Sequence, residues 1–121
     1  MKSNKFFIIF LLIFFCISCS KEAPIKKSTL KEKSLELQVL KTYNEAMESL
    51  ESGDVLYAAK KFNEAEILSP QSQSAPKSAL MAAYAYYSQD YFGDAISELQ
   101  RFVKLYSNYK DIDYAYYLLA I

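Results

Sequence analysis

Small and apolar residues in this chain recur at a step of 37. Ala58 is matched by Ala95, Ala46 by Ala83 and then Ala120, Tyr43 by Leu80 and Tyr117, and Leu50 by Tyr87. Three starts on one period constrain the fold more than any composition can. A period of roughly 20–50 residues marks stacked units, none of which buries its apolar face alone.

Residues 76–105 show what is being stacked. Residues 78–87 are apolar on every side and alternate small with large, so that helix must be covered on several sides. Residues 92–105 carry one stripe, Phe92, Ala95, Ile96, Leu99, Phe102 and Val103, with charges opposite. Upstream, Leu35, Val39, Leu40, Tyr43, Ala46, Met47 and Leu50 keep helical spacing until Gly53, where a positive φ costs least. Asp54 stands where an N-cap belongs, and Val55, Ala58, Ala59, Phe62, Ala65 and Leu68 form the next face. Ser69-Pro70 closes that helix, and Pro76 suits the first turn of the following one. With two Gly, three Pro and 16% aromatic residues, the expected fold is all-α. Gly53-Asp54, Ala58-x₃-Phe62, Ala65 and Pro70 resemble the tetratricopeptide repeat, whose 34-residue unit is lengthened here in the loops. The expectation is an α-solenoid over residues 34–121, with about two full repeats and the first helix of a third.

The amino terminus reads differently. Lys2 and Lys5 precede an apolar run from Phe6 to Ile17, too short for the roughly 20 residues of a spanning helix. It ends Cys16-Ile17-Ser18-Cys19-Ser20, which resembles a lipobox with Cys16 in place of the usual Leu. Residues 1–18 are therefore expected to be a lipoprotein signal peptide and Cys19 the acylated residue. Residues 19–33, Lys-rich and poor in apolar side chains, are expected to be a flexible tether, with a capping-box spacing at Thr29 and Glu32. Ser20, rather than Asp, after Cys19 favours the outer membrane, on its periplasmic face.

The lipobox, the tether and the segments LMAAYAYY, AISELQRFVKLY and DYAYYLLA resemble the BamD family of outer-membrane assembly lipoproteins, from about Tyr43 to Ile121. Ser107 stands where such repeats usually place Pro. The resemblance implies a scaffold of the β-barrel assembly machinery, whose partners are the other subunits of that complex, unfolded outer-membrane proteins and the membrane itself. Members of that family are longer, and the bare Tyr117, Leu118 and Ile121 lead to the expectation of an amino-terminal fragment. Two other readings stay open: another periplasmic repeat adaptor, acting in envelope division or peptidoglycan synthesis, or the repeat module of a truncated enzyme.

Projected onto helical hairpins, the 37-residue step yields one inner face. It comprises Leu40, Tyr43, Met47 and Leu50, then Lys77, Leu80, Tyr84 and Tyr87, then Tyr114, Tyr117 and Ile121. Tyr and Leu suit an extended segment with alternating aromatic side chains, because Tyr offers a flat apolar body and one hydroxyl at low entropic cost. The candidate peptide-binding residues are Tyr43, Met47, Leu50, Leu80, Tyr84, Tyr87, Tyr114 and Tyr117, whereas Tyr86, Tyr91, Tyr106 and Tyr116 are expected to pack between helices. Arg101 and Lys104 are read as complements to a helix dipole and Asp111 as a cap. Residues 39–121 carry seven Lys/Arg against eleven Asp/Glu, the wrong balance for phosphate binding. With no His and no Gly-rich loop, neither a metal site, a cofactor nor nucleophilic catalysis has a visible basis.

Overall fold

The computed structural model describes residues 25–121, with side chains from residue 29 onward. The expected signal peptide, Cys19 and the first part of the tether lie outside the described residues. Five helices occupy those residues: α1 (Ile25–Glu51), α2 (Val55–Leu68), α3 (Ala75–Tyr87), α4 (Phe92–Leu105) and α5 (Ile112–Ala120). Each packs on its successor. The chain is thus an all-α solenoid of two tetratricopeptide-like hairpins, α1–α2 and α3–α4, with α5 laid against the second.

Local signals set the boundaries. Gly53 ends α1 at φ +88°, and the Asp54 carboxylate accepts a hydrogen bond from the Tyr57 amide at 3.2 Å. The step of 37 carries this turn to Asp90 and Tyr91. Asp90 adopts the same left-handed conformation (φ +62°) without being glycine, and Tyr91 sits at the N-cap with no side chain to cap α4. Pro76 falls in the first turn of α3, where its missing amide is not needed.

The doubly apolar α3 is covered on two sides, which explains its composition. Ala82 and Ala85 pack into a core with Ala46, Ala58, Ala59 and Phe62 of the first hairpin. Ala79, Leu80 and Ala83 pack into a second core with Leu99 and Phe102 of α4 and Ala115 and Leu118 of α5. Phe62 and Leu99, 37 residues apart, both plug a hairpin and are fully buried.

Four expectations are corrected. The helix does not start at Thr29, nor does the tether reach residue 33: α1 begins at Ile25 and Thr29 lies inside it. Residues 25–51 contain neither Gly nor Pro and are rich in Lys, Glu and Leu, so helix propagates past the packed region. Ala120 is exposed although Ala46 and Ala83 are buried, those two lying under the second helix of their own hairpins. The α4 stripe is narrower than its sequence pattern, since Ala95, Leu99 and Phe102 are buried while Phe92 and Ile96 stay about half exposed. Asp111 occupies the N-cap position of α5 but makes no side-chain capping bond.

Candidate functional site

The first helices of the three units, α1, α3 and α5, present the tyrosine-rich face. On α1, Tyr43 is half-buried, with its ring edge-on to Phe62 at 5.2 Å and the Lys77 ammonium 5.0 Å above it. Met47 and Leu50 are also half-buried and belong largely to the first core. On α3, Tyr84 and Tyr87 are half-buried, and Tyr87 meets Phe92 edge-on at 6.0 Å. On α5, Tyr114 and Tyr117 are exposed and stacked on one another at 6.4 Å.

Burial first, and then the proximity of Tyr84, Tyr87 and Tyr117, push the Tyr114 phenol above its ordinary value. Burial and then Asp111 raise Tyr109, with a smaller contribution from Tyr43. Tyr109 itself packs edge-on against Phe102 at 5.9 Å. Beside Tyr87 an apolar cleft of about 160 Å³ opens between α4 and α5, lined by Phe92, Ile96, Leu119 and Ile121. Such a surface offers aromatic faces, hydroxyls and one cation, Lys77, to an extended ligand. Among the expected residues Leu80 is buried, in the second core, while Tyr43, Met47 and Leu50 pack against the first.

Comparison with known proteins identifies the family. A family model described as outer membrane lipoprotein, YfiO, matches residues 36–121. The chain belongs to the YfiO family.

Relatives of this YfiO-family chain include the outer membrane protein assembly factor BamD of Neisseria meningitidis serogroup A, 32% identical over 104 residues that cover 86% of this chain and 38% of the relative. BamD of Caulobacter vibrioides is 33% identical over 96 residues, covering 79% of this chain and 31% of the relative. BamD of Neisseria gonorrhoeae is 38% identical over 83 residues, covering 69% and 31%. The YfiO-family chain thus spans less than two fifths of the length of these relatives.

The family match covers a second constellation that sequence reasoning missed. Arg101 of α4 does not serve the helix dipole. Its Nη1 and Nη2 donate to the two carboxylate oxygens of Glu66 on α2 at 2.9 and 2.7 Å, and its Nε donates to Glu98 at 2.9 Å. Tyr106 donates its hydroxyl to Glu66 at 2.6 Å, and Asn63 donates to Glu98 at 3.1 Å. Burial alone pushes the Glu66 carboxyl up, but hydrogen bonds from Arg101 and Tyr106 outweigh it and hold the group below its ordinary value. Burial and the bond to Glu66 push the Tyr106 phenol up to about 12. This network clasps the second helices of the two hairpins. Tyr86 packs on the first core as expected and Tyr106 on the second, whereas Tyr91 and Tyr116 are substantially exposed.

Among the described residues no helix is long and apolar enough to cross a membrane, and no cluster of acidic side chains could hold a metal ion.

Proposed function

We propose that this YfiO-family protein is a lipid-anchored assembly factor of the outer membrane, and that its tyrosine wall holds extended segments of unfolded β-barrel proteins. The observation that carries this reading is the alignment of Tyr43, Tyr84, Tyr87, Tyr114 and Tyr117 on the first helices of three consecutive units. The names of the relatives, all outer membrane protein assembly factors, support the general role. A wall of rigid amphipathic rings tolerates varied sequences, as a factor serving many clients needs. The part is a binding one: other subunits of an assembly complex, the client and the membrane are its partners. Cys19 is the proposed acylation site, holding the protein to the periplasmic face of the outer membrane.

Titration with a peptide from the carboxy-terminal strand of a barrel protein tests the wall. Truncating Tyr84 and Tyr87 together to Ala is expected to weaken binding about tenfold or more, at roughly 1 kcal/mol or above per anchor ring, with helicity by circular dichroism unchanged. Equal affinity in the doubly truncated protein removes the groove. Metabolic labelling with a fatty acid, lost in Cys19→Ser, tests the anchor; an unlabelled wild-type protein refutes it.

A further inference from the structure

Among the described residues, every side chain of α1 before Leu35 is exposed. At 27 residues the helix is about 40 Å long, whereas the 14-residue α2 beside it covers about half of that. Residues 29–34 are exposed on every side. Tertiary packing sustains most short helices in water, so what this stretch presents outward matters.

Its outward face is ordered. Leu30, Lys33, Leu37 and Lys41 follow at spacings of three and four and so share one stripe, with Leu40 beside it. Leu30, Leu37 and Leu40 are 70%, 60% and 56% exposed. The acids of the same stretch are elsewhere: Glu32 and Glu36 face the α2–α3 loop, lining a hollow with Ser69, Gln71 and Ser72. Leu30, Lys33 and Leu37 therefore share a side free of Glu32 and Glu36, and the basic section ends where Glu45, 3.8 Å from the Lys41 ammonium, and Glu48 join Leu37 and Leu40 on that side.

We infer that this face of α1 lies on an anionic phospholipid surface, with the leucines in the headgroup boundary and Lys33 and Lys41 reaching phosphates. A helix with apolar side chains flanked by lysine stems meets both regions at once. The inference draws support from the Cys19 reading, because the six residues from Cys19 to Ile25 span at most about 20 Å. An acyl chain there keeps α1 beside the bilayer. A second copy of the chain fits the face less well. Pairing two such stripes brings Lys33 against Lys33 in the seam, and three leucines leave little apolar area to offset that repulsion.

The chain contains no Trp, so Leu37→Trp is a single reporter. The protein from Ser20 onward keeps every core residue, since these run from Val39 to Leu118, and carries no acyl group, so the helix is read independently of Cys19. Emission is expected to move to shorter wavelength with phosphatidylcholine vesicles containing phosphatidylglycerol, to return at high salt, and to stay unchanged with phosphatidylcholine alone. Replacing Lys33 and Lys41 with Gln should lower partitioning about 25-fold, at about 1 kcal/mol per lysine. A reporter at the exposed Ile67 on α2 should not respond. No shift with phosphatidylglycerol, or an equal shift with both vesicles, overturns the proposal. So does a shift that grows with protein concentration in the absence of lipid, which identifies a second copy as the occupant.

Discussion

Arg101 grips Glu66 with both terminal nitrogens, across 35 residues of chain and between two separate hairpins. The carboxylate is buried, with 7% of its side chain accessible, while 37% of the Arg101 side chain is accessible. The pair is therefore asymmetric: losing Arg101 strands a buried charge, whereas losing Glu66 leaves a cation that solvent and Glu98 still reach.

Arg101→Ala should consequently destabilise the fold by about 2–3 kcal/mol, below the roughly 3–5 expected for a fully buried pair because Arg101 is partly solvated. Glu66→Gln keeps an acceptor for Tyr106 and should cost less. Urea denaturation of the two variants checks the order, and equal losses would contradict the asymmetry.

Acid should act through the same carboxylate. The folded-state value of Glu66 lies below the ordinary 4.5, so the unfolded chain binds the proton more readily. The stabilisation is complete above that value and is lost as pH falls through the lower, folded one. The urea midpoint should fall on acidification below about pH 4.5, and Glu66→Gln should flatten that decline. At the alkaline end, the Tyr106 phenol pushed up to about 12 contributes stability present below its unfolded value of 10 and lost as pH rises through 12.

The two inner turns can be exchanged. Gly53-Asp54 and Asp90-Tyr91 occupy equivalent places, yet only the first has a glycine at positive φ and a capping carboxylate. Writing the first into the second, Asp90→Gly with Tyr91→Asp, should stabilise by about 1–2 kcal/mol. Gly53→Ala should cost about 1 kcal/mol through φ alone, since an added Cβ meets nothing within 4 Å. Thermal melts of the three proteins measure both signs.

Ser78 is fully buried, and its hydroxyl has no hydrogen-bond partner among the described residues. One step of 37 later the position is Ala115, equally buried. Ser78→Ala should raise stability by about 1 kcal/mol, because it removes a desolvated donor without opening a cavity of consequence. A lower denaturation midpoint would mean that the hydroxyl is bonded.

What the sequence made legible was local or periodic. Gly53, Asp54, Pro70 and Pro76 mark turns by their own stereochemistry, and the 37-residue step places α3 between two neighbours. The Glu66–Arg101 clasp was hidden because that step aligns Arg101 with Glu64, not Glu66, and Lys61 with Glu98. The Lys61–Glu64 pair of the first hairpin thus recurs as Glu98–Arg101 with its signs reversed, and only the second copy reaches into the other hairpin. Leu80 aligns with Tyr43 but is buried, since among the described residues α3 is flanked on both sides and α1 on one. Tyr109 was missed because it sits in the inter-hairpin turn, which pattern arguments skip.

The methyl groups of Ala46, Ala58, Ala82, Ala83 and Ala85 lie behind the tyrosine wall rather than in it. They set how closely successive helices approach, and small rotations between units fix the curvature of a solenoid. The radius of the tyrosine-bearing surface is therefore dictated from its back. On the proposed function, a bulkier residue at Ala83 alters which peptides fit while touching none of them, and client range changes at a position that no client meets.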